Sequence, residues 1–276
     1  MPQPATAPEP EHLPVSQARA PGAGPIARNL APPPNTSAAA VLIKDVASGA
    51  VIYEKNPEAR LPIASLTKLM TALVAVESGD LSDLVEISPT DLEVSAFRLN
   101  FTPGEKLTVR DLLIGMLVSS ANDAALALSR YASGRTDNFV KDMNDKAVEL
   151  QMLATSFTNP IGFDNPQHYS TAADLDKLVA EFMNHPELLE IVKMKQAVIS
   201  TISGKESRRL VTTNQLLANR PGVIGLKTGY TSEAKGSLII LTSEPGYYSI
   251  VLGSADRERE TNLLLDWVER EFVWTR

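Results

Sequence analysis

The sequence predicts an α/β (α+β) domain. Strands from the two ends of the domain build an antiparallel sheet, flanked by helices, with a mainly helical region inserted between them. Three observations carry this. Runs rich in β-branched residues occur near residues 40–53 and again between 196 and 252. Apolar residues at helical spacing fill the stretch between. A proline-rich segment ahead of both has neither pattern.

That segment comes first in the chain. Of 19 prolines, 10 lie between Pro2 and Pro34, and residues 1–36 contain no aromatic residue. Glu9, Glu11, Arg19 and Arg28 cancel in charge. Such a stretch buries too little apolar surface to offset its ordering entropy. It is expected to be an extended Pro/Ala-rich linker, with the folded domain over residues 37–276. Residues 40–46 and 50–53 read as strands joined at Ser48-Gly49 into a hairpin. Residues 65–77 read as a largely apolar, buried helix, and 109–118 and 121–131 as two more. Residues 136–150, with Phe139, Met143, Ala147 and Leu150 on one face, form an amphipathic helix. Thr171 opens another, with Asp174 three residues on as in a capping box. Strands follow at 196–202, 209–213, 223–230, 236–242 and 247–252, and a last helix at 261–273.

Composition narrows the function. The 276 residues are 43% hydrophobic and 21% charged, ordinary globular usage. Cysteine is absent, which excludes a disulfide framework, a thiolate zinc site and a thiol nucleophile. The net charge of −7 argues against nucleic acid as a partner. His12, His168 and His185 lack metal-ligand spacing, so no metal or cofactor is expected. His168 reads as a local hydrogen-bonding residue, and Asp123 and Asp174 as caps. Trp267, Phe272 and Trp274 read as packing of the last helix. No window approaches the length of an apolar membrane span, and the first residues lack a signal-peptide pattern. For a protein acting outside the cytoplasm, the export signal or membrane tether is therefore expected upstream of Met1.

Three polar motifs interrupt the apolar pattern. In Ser65-Leu66-Thr67-Lys68, the serine and lysine share a helix face, and Ser65 sits where free N–H groups favour developing negative charge. A serine needs a base to become a nucleophile, and a lysine serves once burial or a nearby cation lowers its pKa. Taken alone, the spacing also fits an ordinary helix start. Ser120-Ala121-Asn122 lies between two apolar helices; Ser120 is suited to pass a proton and Asn122 to hold a carbonyl, although both also cap helices well. Lys227-Thr228-Gly229 ends a strand, with a cation for an anionic group and a glycine for close backbone approach.

Together and in this order, SxxK, an SxN triplet and KTG form the signature of penicillin-binding proteins and class A β-lactamases. Over residues 37–276 the chain resembles the serine D-Ala-D-Ala carboxypeptidases among the low-molecular-mass penicillin-binding proteins. The likeness extends to Ala64 and Leu69-Met70-Thr71-Ala72 around the nucleophile, to Asp123-Ala124-Ala125, to Asn159-Pro160-Ile161-Gly162-Phe163 and to His168-Tyr169-Ser170-Thr171. It implies a β-lactamase/transpeptidase-like fold and a reaction at the cell envelope, on peptidoglycan stem peptides ending in D-Ala-D-Ala, with β-lactams as covalent inhibitors. It implies Ser65 as nucleophile, Lys68 as base, Ser120 and Lys227 as proton carriers, and Asn122 as holder of the acyl amide. The N–H groups of Ser65 and Tyr230, beside Gly229, would form an oxyanion hole. Thr228 and an arginine, Arg257 with Arg259 as fallback, would bind the substrate carboxylate.

Two departures stand out. Ala121 replaces a glycine frequent in the family, and the small β domain and membrane-binding helix of many relatives do not follow the last helix here. A β-lactamase also needs a loop glutamate followed closely by asparagine, whereas this stretch reads Thr158-Asn159-Pro160-Ile161-Gly162-Phe163-Asp164. A D,D-endopeptidase of peptidoglycan cross-links uses the same residues and is the main alternative, and a non-hydrolytic β-lactam sensor is a further one. In such a setting the linker serves as a tether: 36 residues as polyproline II span roughly 110 Å.

Overall fold

The computed structural model describes residues 24–28 and 31–274. Its elements run in the order β1 (Pro25–Ala27), β2 (Ala40–Asp45), β3 (Val51–Lys55), α1 (Thr67–Glu77), β4 (Leu84–Glu86), β5 (Lys106–Thr108), α2 (Val109–Val118), α3 (Asn122–Ser133), α4 (Thr136–Glu149), α5 (Ala172–Phe182) and α6 (Pro186–Val192). Then follow β6 (Gln196–Ser200), β7 (Ser207–Val211), α7 (Gln215–Asn219), β8 (Val223–Thr231), β9 (Lys235–Thr242), β10 (Tyr247–Ser254), α8 (Arg257–Glu271) and β11 (Phe272–Trp274).

The main sheet has the order β3-β2-β10-β9-β8, antiparallel throughout. The middles of its inner strands are continuous apolar runs, such as Leu238–Leu241 and Ile250–Leu252, because both faces are covered. Alternation along each strand divides the interior in two. Leu42, Ile239, Leu241, Ile250 and Leu252 face the inserted helices. Val41, Ile43, Leu238, Ile240 and Val251 face Leu264, Leu265, Trp267 and Val268 of α8. Within the insertion α1 is buried on all sides from Thr67 to Ala75, so any polar group on it lies inside the protein. None of the helices among the described residues is long and apolar enough to cross a membrane.

The expected architecture is therefore present, with two corrections. Strands β6 and β7 pair only with each other, as a ribbon separate from the main sheet. The linker expected over residues 1–36 ends earlier than composition implied. Residues 1–23 lie outside the described residues, but Pro25–Ala27 pair with Phe272–Trp274 as β1 and β11. The Trp267 indole also donates to the Ala31 carbonyl at 2.9 Å, and Thr36 is buried. The folded domain thus reaches ahead of Ser37. Trp267 and Phe272 pack edge to face, and Trp274 stacks on Tyr247, so the predicted aromatic packing of the last helix is present.

Candidate active site

The nucleophile segment starts one step earlier than a plain helix would. Ser65 lies in a 3-10 turn, Ala64–Leu66, ahead of α1, and Ala64 has a φ of 48°, in the left-handed region. Two glycines explain this strained entry. A Cβ on Gly162 would lie 1.9 Å from the Ala64 carbonyl oxygen, and one on Gly229 would lie 2.9 Å from that of Ile63 and 3.2 Å from the Ser65 nitrogen. Two backbones thus press on the turn from either side, which only glycine permits. Gly162→Ala is expected to lower unfolding stability by about 2–4 kcal/mol, since it adds both this clash and a penalty at φ +86°. Urea denaturation of the purified variant checks this; an unchanged midpoint would mean that the turn relaxes freely.

Lys68, the second residue of α1, is fully buried. Its Nζ lies 3.0 Å from Ser65 Oγ and donates to the Ile161 carbonyl at 2.9 Å. Burial, and then the charge of Lys227, hold its pKa well below the usual lysine value. A neutral amine beside the hydroxyl is a competent base. Asn159 Oδ1 accepts the N–H groups of Ile161, Gly162 and Phe163 at 3.2, 2.7 and 3.0 Å, which sets the loop presenting that carbonyl.

Ser120 joins α2 to α3 with a φ of 62°. Its Oγ accepts from Lys227 Nζ at 2.9 Å, while Lys227 also donates to the Thr228 carbonyl at 3.1 Å. Burial, then Arg257, bring Lys227 down to about 7. Asn122 opens α3; its Nδ2 donates to the Ala96 carbonyl at 2.8 Å and its N–H to that of Phe97 at 2.7 Å. Asp123 is a structural anchor, accepting from the N–H groups of Leu99 and Asn100. Lys227, Thr228, Gly229 and Tyr230 all lie on β8, with Tyr230 63% exposed at its outer end. Arg257, the first residue of α8, donates from Nη1 to the Gly229 carbonyl at 2.7 Å. Arg259, two residues on, is exposed.

The structure thus joins Ser65 to Lys68 and Ser120 to Lys227, sets Gly229 against the Ser65 backbone and Arg257 on the Gly229 carbonyl, and places Asn122 two residues after Ser120 with its amide on the Ala96 carbonyl. It also adds two pairings that the motifs do not indicate. Thr213 Oγ1 is 2.7 Å from Thr228 Oγ1, the hydroxyl assigned to the substrate carboxylate. Thr67 Oγ1 meets His168 Nε2 at 2.8 Å. Neither pair has a local sequence signal, because the partners are 15 and 101 residues apart. Away from this site Glu77, Glu181 and His185 converge, and the Lys146 ammonium, 2.8 Å from Glu77, already supplies a cation there.

Comparison with known proteins agrees with the geometry. A D-alanyl-D-alanine carboxypeptidase family model, peptidase S11, matches residues 27–255. The chain is 34% identical to the D-alanyl-D-alanine carboxypeptidase DacF of Bacillus subtilis over 82% of its own length and 60% of that protein's. It is 35% identical to a D-alanyl-D-alanine endopeptidase of Pseudomonas aeruginosa, over 73% of this chain and 66% of that one. The Streptomyces K15 DD-transpeptidase superposes with a TM-score of 0.81 at 30% identity, covering 87% of this chain and all of that one. The chain spans about three fifths of the length of the first curated relatives it matches. With a matching model over most of its length and all three motifs folded into one site, the chain belongs to the D-alanyl-D-alanine carboxypeptidase family, peptidase S11.

Proposed function

We propose that the protein is a serine D-Ala-D-Ala carboxypeptidase that removes the terminal D-Ala from peptidoglycan stem peptides at the cell envelope. One observation carries this reading: two hydrogen-bonded serine–lysine pairs, Ser65–Lys68 and Ser120–Lys227, with both lysines buried. Ser65 Oγ attacks the carbonyl between the two D-alanines and passes its proton to Lys68 Nζ. The N–H groups of Ser65 and Tyr230 hold the oxyanion, a donor of this kind being worth about 3 kcal/mol. The C–N bond breaks as the leaving nitrogen takes a proton relayed from Lys227 through Ser120. Asn122 orients the acyl amide, and Thr228, Gly229 and Arg257 receive the terminal carboxylate, for which a guanidinium offers a bidentate fit. The proton held by Lys68 then passes to Lys227, left neutral by its own donation. Lys68, neutral again, takes a proton from water as that water attacks the ester, and returns it to Ser65 Oγ as the acyl–oxygen bond breaks. A β-lactam enters by the same attack and leaves a long-lived ester. Each of these steps is carried by side chains and backbone of this chain and by water.

The deciding experiment incubates the protein with a peptide ending in D-Ala-D-Ala and measures free D-alanine. Release that disappears in Ser65→Ala supports the proposal, and penicillin labelling without release supports a sensor. Mass spectrometry of purified wall fragments separates the endopeptidase reading, which predicts conversion of cross-linked dimers to monomers instead of loss of one D-alanine.

A further inference from the structure

The geometry points to His168 as a positioning residue for the nucleophile, tying the Ser65 turn and the Lys68 loop together through Thr67. This rests on the proposed acyl-enzyme mechanism and adds to it a residue outside the three motifs.

His168 is buried, 2% exposed, and each ring nitrogen has a partner. Nδ1 lies 3.1 Å from the Thr158 backbone nitrogen, with Thr158 Oγ1 at 3.3 Å and Asn159 Nδ2 at 3.4 Å. A backbone N–H only donates, so Nδ1 accepts and the ring proton is assigned to Nε2. Nε2–H then donates to Thr67 Oγ1 at 2.8 Å, and the one proton of that hydroxyl goes to the Ala64 carbonyl at 2.8 Å. Every contact in the chain Thr158 N–H, His168, Thr67, Ala64 thus has one donor and one acceptor, and the direction is the same throughout.

The two ends of this chain are what catalysis needs held. At one end Ala64, in its left-handed conformation, immediately precedes Ser65. At the other, Thr158 and Asn159 begin the loop whose Ile161 carbonyl accepts from Lys68 Nζ. His168 therefore sets the spacing between nucleophile and base without touching either. The Phe157 ring meets the imidazole edge to face and restricts its tilt. Burial pushes the imidazole down to about 4, against the opposing charge of Asp164, so it stays neutral and keeps Nδ1 as an acceptor at physiological pH. A displacement of the order of an ångström between reacting groups lowers rates by up to about 100-fold, so a residue acting only on spacing has a large kinetic effect.

The test measures the rate constant of Ser65 acylation by benzylpenicillin, its half-saturation concentration and the melting temperature for four variants. His168→Ala and Thr67→Val are each expected to slow acylation by about 10- to 100-fold, with half-saturation changed by less than about threefold. Thr67→Ser, which keeps the hydroxyl, restores most of the rate. The double variant is no slower than the slower single one, because both break the same chain. Single-variant losses that multiply, or a Thr67→Ser rate as low as that of Thr67→Val, overturn the inference. If His168→Ala fails to fold, the Thr67→Val and Thr67→Ser pair still decides it. The two readings fail differently: an unlabelled wild type refutes the acyl-enzyme mechanism, whereas a labelled wild type with unimpaired Thr67→Val refutes only the role of His168.

Discussion

Replacing Lys68 with methionine is expected to end acylation of Ser65 while raising the temperature at which the domain unfolds. The first effect follows from chemistry. Ser65 Oγ lies 3.0 Å from Lys68 Nζ, the base in the proposed mechanism, and removing such a group from a serine hydrolase lowers turnover by roughly 10,000-fold or more. The second follows from burial. Lys68 is 0% exposed, and its hydrogen bonds go to a hydroxyl and a carbonyl, with no carboxylate among them. Its folded pKa lies below its unfolded one. The stability linked to this group is thus complete only above the ordinary lysine value and declines as pH falls through the range between the two. At neutral pH the lysine is already a net burden, because folding holds as a neutral amine a group that is charged in the unfolded chain. Methionine has similar length and no charge. Against it stands the Ile161 carbonyl, which loses its partner at a cost of about 1–3 kcal/mol. The desolvation term is the larger. A gain of about 1–3 kcal/mol, or about 2–4 °C per kcal/mol for a domain of this size, is expected in thermal melts at pH 7.5. Penicillin labelling at the wild-type rate would refute Lys68 as the base. A lowered melting temperature would mean that its hydrogen bonds outweigh its desolvation.

The same burial explains why the chemistry was readable from the sequence. A serine, a lysine and an asparagine set in apolar helices conflict with local pattern, and three such conflicts in a known order are informative. The sheet and the longer helices were readable because their apolar periods are long and regular. What escaped is what distant partners decide. Residues 25–27 have no local strand signal; they become β1 because Phe272–Trp274 offer an open edge. Strands β6 and β7 have the composition of any strand, and nothing local assigns them to a separate ribbon. Ser65 occupies a 3-10 turn because Gly162 and Gly229 press on the preceding backbone from positions far along the chain. The asparagine of the second motif opens α3, whereas local propensity had suggested a cap.

Arg257→Ala is expected to move the alkaline limb of the pH–rate profile upward. In kcat/KM the limbs belong to the free enzyme. Under the proposed mechanism the acid limb reports Lys68, which must be neutral to accept the Ser65 proton, and whose pKa is well below that of an ordinary lysine. Under the same mechanism the alkaline limb reports Lys227, which must hold a proton to pass it through Ser120. Lys227 releases that proton near pH 7, lowered first by burial and second by Arg257. The falling side of the profile is therefore centred at about 7. A neighbouring cation disfavours the ammonium, so deleting Arg257 favours it and Lys227 titrates at higher pH. Arg257→Lys keeps the charge and leaves the limb in place. Both variants are expected to raise KM, since both lose the guanidinium to which the proposed mechanism assigns the carboxylate. The shift and the KM effect are thus separable: the first follows charge and the second follows shape. Initial rates of D-alanine release between about pH 5 and about pH 10, read as kcat/KM, resolve them. A falling limb that stays near 7 in Arg257→Ala would assign it to a group other than Lys227. A limb that moves in Arg257→Lys as far as in Arg257→Ala would show that the arginine acts on the lysine through packing, not through its charge.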